Sequence, residues 1–506
     1  MASLINKNLK NAIPNNLFHE KNNIVFLCCL TALIIIYVMP IILADRLYID
    51  DILRSQLGYT NWSANGRPLS DLLMMAFSFF GKNIVDLSPL TLIIALSIFS
   101  FCALIYYKTN LDEFSPIASA LIMFSVIANP FLLENLSYKF DVLPMITSLS
   151  ILLVPFFFKP KSFICIILSI VMIISSLCLY QASIGFYVCL AIIEYFLSYK
   201  KCNAESSCYR MNNSVFRIIS LVAAYYLYGL LTEHMVADEY NLIHSQILAM
   251  SRESLSVFTW NISTLSDIII LYFKNIKHTT YFIYAVVVCS IVSAIFNRKN
   301  NYKQPLNMVD TVIFLLSPVL IVFCTFIHLC FLSAPVFADR VLISFGAVMM
   351  LVTICFFSTI KNKYIVSVFI SFPLLFVFVY SYTFGAAQKY QKEYDNRISN
   401  DIALSVSRAD PEGKLALFIA GTQPSSNQRI NAVNRFPSLS SLIPLYYNNG
   451  WWGKHLIKMF GIKNRVIGTK SGTLACSMKK FEETQIYSLY IDSENILVDF
   501  DKPVCK

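Results

Sequence analysis

Charge is what this sequence has least of. Asp, Glu, Lys and Arg make up 14% of its 506 residues, against about 25% in an ordinary soluble domain. Hydrophobic residues reach 57%. A soluble fold is excluded, and the composition implies a polytopic α-helical membrane protein. Signature loops are missing too. There is no Walker loop, no G-x-G-x-x-G after a strand, no G-x-S-x-G and no H-E-x-x-H. Nucleotide, nicotinamide and zinc-hydrolase chemistry therefore have no support, and no cofactor is evident. His234 and His244 lack metal-ligand spacing, and no His-centred motif at a membrane face suggests an acyltransferase.

Ionisable residues are scarce where a transporter needs them. The middles of the apolar runs hold almost none, Glu194 and His328 being the main exceptions. A coupled transporter keeps titratable groups at membrane depth despite a penalty of roughly 3 kcal/mol each. Their scarcity favours a surface site over a translocation path.

What the chain does have is about eleven apolar runs of spanning length. They lie near 24–43, 88–107, 114–131, 143–158, 163–180, 183–199, 217–232, 280–296, 309–330, 340–360 and 364–384. Residues 68–81 are apolar but short and are predicted to lie on, or dip into, the membrane. Residues 242–273 are amphipathic at helical spacing and are predicted to lie on the outer leaflet. Lys and Arg gather in alternate loops: Lys108, Lys159 with Lys161, Lys200 with Lys201, Arg298 with Lys299, and Lys361 with Lys363. By the positive-inside rule these face the cytoplasm, as does the N-terminus. Loops 44–87, 132–142, 233–279 and 331–339 then face outward, together with everything after residue 384. The net charge of +10 belongs to these loops and does not imply nucleic-acid binding. No cleavage site follows the first run, so no removable signal peptide is expected.

Two domains are expected: a transmembrane domain, 1–384, and an outward C-terminal α/β domain, 385–506. The second carries strand-like runs at 414–420, 486–491 and 496–500 and a helix near 453–461. Of 14 cysteines, only Cys476 and Cys505 lie clearly on the outer side, where an oxidising environment makes them a disulfide candidate.

Charge is concentrated in the first outward loop, 45–71. It holds Asp45, Asp50, Asp51 and Asp71 with Arg46, Arg54 and Arg67, alongside Trp62, Tyr48 and Tyr59. If 48–58 is helical, Asp50 and Arg54 share one face, with Asp51 within reach. Paired carboxylates beside arginines at a membrane surface suit a reaction on a charged, hydroxyl-bearing substrate. A second outward cluster holds Glu134, Lys139 and Asp141. Gln181, at the end of the fifth run, is placed to offer an amide to a sugar hydroxyl, and Arg340 to bind phosphate.

The pattern Asp50-Asp51-x-x-Arg54-x-x-x-Gly58-x-x-x-Trp62-x-x-x-Gly66-Arg67-Pro68-Leu69, followed by Asp86-Leu87-Ser88-Pro89 and by Glu134-Asn135-Leu136-x-Tyr138-Lys139-x-Asp141, resembles the O-antigen glucosyltransferases of serotype-converting phages, the Gtr type II family. The resemblance covers the first 145 residues. It implies a GT-C-like glycosyltransferase of the bacterial inner membrane. Its donor would be undecaprenyl phosphate glucose, supplied by a partner synthase and a small flippase. Its acceptor would be a sugar hydroxyl of the lipopolysaccharide O-antigen in the periplasm. The C-terminal tail carries no motif that aligns.

With such a donor the leaving group is already a phosphate and needs little protonation. The enzyme must supply a base for the attacking hydroxyl, expected to be Asp50 or Asp51. It must also supply a cation for the phosphate, with Arg54, Arg67, Lys139 and Arg340 as candidates. One displacement with one base inverts the anomeric centre. No spacing requires a divalent metal, although one bridging an aspartate and the phosphate would fit the chemistry. An O-antigen polymerase or a polyprenyl-linked sugar flippase is the alternative. The first would place its large loops later in the chain, and the second would line its bundle with polar residues.

Overall fold

The computed structural model describes residues 19–159, 163–200, 207–236, 239–249, 251–274, 277–300, 307–360, 362–448, 450–468 and 476–501. All eleven apolar runs are helical. Eight helices are long and apolar enough to cross a membrane: Lys21–Ala44, Leu90–Asn110, Gln181–Lys200, Ser207–Thr232, Arg252–Lys274, Thr280–Asn297, Asp339–Thr359 and Tyr364–Ala409. Four of the expected runs are helical over shorter stretches, Pro116–Ile127, Val142–Phe157, Phe163–Leu179 and Met308–Cys324. Polar caps start several of them. Ser115 Oγ accepts from Ala118 N–H ahead of Pro116, and Asn307 and Asn362 cap the helices that follow them.

Arg252–Lys274 matches the amphipathic stretch predicted at 242–273. By length and composition alone it also qualifies as a span. Its contacts place it across one end of the bundle instead. Asn261 Nδ2 donates to the carbonyls of Cys330 and Leu332. Further along, Tyr272 packs edge-on against Tyr380 and against Phe131. Leu332 and Phe131 each open one of the segments at the end of the bundle that carries residues 45–71. A helix touching that end along its length does not run down the bundle axis.

The change of composition near residue 385 falls inside one helix, Lys363–Ala409, of 47 residues. Its first half packs on Lys21–Ala44, where Ser381 Oγ donates to the Tyr37 carbonyl. Its second half is the floor of the C-terminal domain. There Ile398, Ile402 and Val406 bury against Leu417, Ile419, Ile496 and Val498 of a five-stranded sheet.

The strands are β1 (Ala416–Ala420), β2 (Arg465–Gly468), β3 (Lys479–Glu483), β4 (Ser488–Ile491) and β5 (Asn495–Asp499), in the order β2-β1-β5-β4-β3. β1 runs parallel to β2 and β5, and β4 is antiparallel to β5 and β3. The three strand-like runs of the sequence are β1, β4 and β5, and the expected helix is Gly450–Lys458. β2 and β3 are the sheet edges. β3 reads Lys-Lys-Phe-Glu-Glu, and such charged edges oppose further pairing. Cys476 is disulfide-bonded. Its expected partner, Cys505, lies outside the described residues.

One residue of the first loop, Ile52, is buried in the core of the C-terminal domain. Sheet, long helix and first loop are thereby packed as one unit.

Candidate active site

The first loop folds through two tight left-handed turns. Asp51–Leu57 is a short helix that ends at Gly58, φ +61°, whose N–H donates to the Arg54 carbonyl. A Cβ on Gly58 would stand 2.7 Å from the Ile84 carbonyl oxygen. Ser63–Asn65 is a single helical turn ending at Gly66, φ +73°, where a Cβ would meet the Tyr228 hydroxyl at 2.7 Å. Only glycine fits these two positions, which gives the Gly58 and Gly66 spacing its physical meaning. Asp71 folds the loop back: its carboxylate accepts from the N–H groups of Asn61, Trp62 and Ser63.

Asp51 points inward and is fully buried. Its carboxyl accepts from the backbone N–H groups of Tyr48 at 3.1 Å, Lys139 at 2.8 Å and Phe140 at 3.3 Å. Burial pushes its pKa up to about 8, while the amide donors pull the other way. Asp51 ties the first loop to the 138–141 segment, and no face of its carboxyl is left for a substrate.

Arg54 and Asp141 complete that tie. Arg54 Nη1 meets Asp141 Oδ2 at 2.5 Å, both side chains being nearly buried. Trp62 Nε1 donates to the other carboxylate oxygen at 2.6 Å. The Trp62 ring lies under the guanidinium, 3.9 Å from its centre. Three of the sequence candidates thus form one buried clamp.

Arg340 and Glu134 are also paired. Glu134 accepts from Arg340 N–H and from its Nη1, each at 2.7 Å. Lys139 Nζ reaches Asp45 Oδ1 at 2.5 Å and Asp86 Oδ2 at 3.3 Å, so this lysine is already shared by two carboxylates.

Arg67 differs. Its Nε donates to Gln181 Oε1 at 2.6 Å, and its guanidinium lies 4.7 Å from the centre of the Tyr180 ring. Gln181 is fixed in turn by donating to the Asn65 carbonyl and to the Tyr228 hydroxyl. The terminal nitrogens Nη1 and Nη2 have no partner among the described residues, and the charge meets no carboxylate there. This is a guanidinium fork held from behind and open in front.

Asp50 is the matching carboxylate. It caps the Asp51–Leu57 helix, opens to solvent and has no side-chain partner among the described residues. It is open at its tip yet flanked by protein. That desolvation, with the negative charge of Asp141, raises its pKa above the ordinary carboxylate value, and Arg340, Arg54 and Arg67 partly offset the rise. A free carboxylate facing three guanidiniums, one of them unneutralised, is equipped to take a proton beside a bound anion. Among the described residues no three His, Cys, Asp or Glu side chains converge as metal ligands.

Sequence reading missed the buried pair between Arg46 and Asp395, at 2.8 Å with both side chains 2% exposed. Asp395 also accepts from Gln391 and Gln423, and Arg46 lies over the Tyr446 ring. The partners are 349 residues apart, and the chain gives no local signal for such a pair.

A family model described as glucosyl transferase GtrII matches residues 39–351. The match spans more than half the chain and contains every residue of the clamp, the fork and Asp50. The chain belongs to the glucosyl transferase GtrII family. Membership makes it a glycosyltransferase and implies glucosyl transfer in O-antigen modification. Over 95% of its length this GtrII protein is similar, at 28% identity, to an uncharacterized 55.3 kDa protein in the gtrB 5' region of Salmonella phage P22, covering 99% of that relative. No solved structure matches. The GtrII match ends at residue 351, before the sheet domain that packs on its first loop.

Proposed function

We propose that this protein is an inverting glucosyltransferase of the bacterial inner membrane, working on the periplasmic side. It moves glucose from undecaprenyl phosphate glucose to a hydroxyl of a lipopolysaccharide O-antigen sugar. Asp50 is the general base and Arg67 the principal phosphate-binding cation, with Arg340 and Arg54 adding to the field. The observation that carries the assignment is the pairing state of the site. Every other candidate carboxylate and cation is engaged with protein, while the Asp50 carboxylate and the Arg67 fork stand free.

The chemistry follows. The acceptor oxygen attacks the anomeric carbon as its proton passes to Asp50. The bond from that carbon to the phosphate oxygen breaks, and its electrons stay with the lipid phosphate, which gains one negative charge. The Arg67 terminal nitrogens neutralise that charge bidentately. Because the gain occurs only as the bond breaks, this contact is stronger in the transition state than with intact donor. One displacement inverts the anomeric centre, and no second free carboxylate stands by as a nucleophile for a retaining path. A partner synthase and a small flippase would supply the donor on the side where the site opens. The Lys and Arg distribution among the loops supports that side.

The test uses membranes carrying the protein, given glucosyl polyprenyl phosphate and O-antigen acceptor. The product is read for one added hexose per repeat and for the configuration of the new linkage. One hexose with inverted configuration supports the proposal. A retained configuration sinks the one-base mechanism, and altered chain length without added hexose would make the protein a polymerase.

A further inference from the structure

The short helix Pro68–Phe77 starts immediately after Arg67. Ser70 and Met74 are buried, with Ser70 Oγ donating to the Leu179 carbonyl. The opposite face is apolar and uncovered. Leu72 is 53% exposed, and Ala76 follows one turn later. In the next turn come Phe79, 93% exposed, and Phe80, 62% exposed. Spacing of four, three and four residues keeps them in one stripe. Both phenylalanines have left-handed backbones, φ +52° and +55°, a conformation that side chains bearing a Cβ rarely adopt. The turn is fixed by Phe79 N–H to the Ala76 carbonyl and Phe80 N–H to the Met75 carbonyl, and Ile84 returns to Gly58. Two aromatic rings are thus held outward at a conformational cost, at the far end of a stripe that begins one turn past an open anion fork.

A fork for an anion continuous with an apolar track is the shape of a lipid phosphate. We propose that the stripe Leu72, Ala76, Phe79 and Phe80 seats the apolar chain of the donor whose phosphate Arg67 holds. This rests on the reading of Arg67 given above. The stripe selects donors by their chain, and the strained turn keeps its last two rings in register with that chain.

The experiment compares two donors with one acceptor and detergent-solubilised full-length protein. One donor is glucosyl phosphate on a full-length polyprenyl chain, the other glucosyl phosphate on a short, water-soluble isoprenoid chain. The variant is Phe79→Asn with Phe80→Asn. Asparagine tolerates the left-handed conformation, so the melting temperature is expected to hold or rise, which separates the effect from unfolding. The unaltered protein is expected to favour the long-chain donor. In the variant the ratio of kcat/KM for the two donors is expected to fall by about tenfold or more, as loss of buried aromatic surface implies. An unchanged ratio overturns the proposal and leaves the stripe facing bulk lipid. Transfer from neither donor by the unaltered protein overturns the functional reading itself, and this inference with it.

Discussion

Asp50 and Asp51 are adjacent in sequence and opposite in state: Asp51 is buried on three backbone amides, and Asp50 stands open and unpartnered. The turn from Tyr48 into the short helix sends one side chain into the protein and the next out of it. One holds the loop in place and the other is free to act.

Substitution should separate the two. Asp50→Asn is expected to lower kcat by about 10²–10⁴ with the melting temperature unchanged. Asp51→Asn puts an NH2 group where an acceptor oxygen faced a backbone N–H. It is expected to cost about 1–3 kcal/mol of stability, read by thermal unfolding in detergent.

Arg67 should not be replaceable by lysine, which can neither form a planar fork nor stack on Tyr180 in the same way. Arg67→Lys is expected to reduce kcat/KM for the donor by at least about tenfold. Gln181→Ala frees the guanidinium to swing. It should raise the donor KM more than it lowers kcat, since Gln181 orients Arg67 and does not meet the reacting atoms. Wild-type kinetics for Arg67→Lys would remove Arg67 from the site.

The clamp makes a stability statement. Arg54→Met leaves Asp141 buried with only the Trp62 donor and is expected to cost about 3–5 kcal/mol. The double change Arg54→Met with Asp141→Leu should cost clearly less than the two single changes together. Additive losses in that cycle would show that the pair is not coupled.

The pH dependence follows from the raised Asp50 pKa. A base acts only when deprotonated, so kcat/KM should rise with pH and level off above the Asp50 pKa. The midpoint should lie above the ordinary aspartate value of about 3.9. Arg340 pulls that pKa down; its removal in Arg340→Gln should therefore move the acid limb to higher pH. A limb shifted to lower pH, or unmoved, would place the titrating group elsewhere.

Much of the fold was legible because bilayer physics writes itself into sequence. Each long apolar run became a helix, and the amphipathic stretch 242–273 became one that lies across the end of the bundle. The strands β1, β4 and β5 show buried runs, whereas β2 and β3 are short polar edges whose signal is that of a loop. The 45–71 loop announced itself by its density of charge, and Gly58 and Gly66 by their spacing. The roles within it were not legible. Nothing in the residue types tells that Asp51 would turn inward, that Trp62 would cap Asp141, or that Lys139 would be held by Asp45 and Asp86. Pairing is decided by side chains that meet across 79 to 94 residues, and Arg46 meets Asp395 across 349. Such contacts belong to the tertiary structure alone.

The most direct test of the central claim measures glucose transfer by the unaltered protein, Asp50→Asn and Asp51→Asn. All three are assayed in membranes at matched amounts of folded protein with glucosyl polyprenyl phosphate and O-antigen acceptor. Transfer is expected to be lost in Asp50→Asn and to persist, per folded molecule, in Asp51→Asn. Full transfer by Asp50→Asn would contradict the assignment of the open carboxylate as the base.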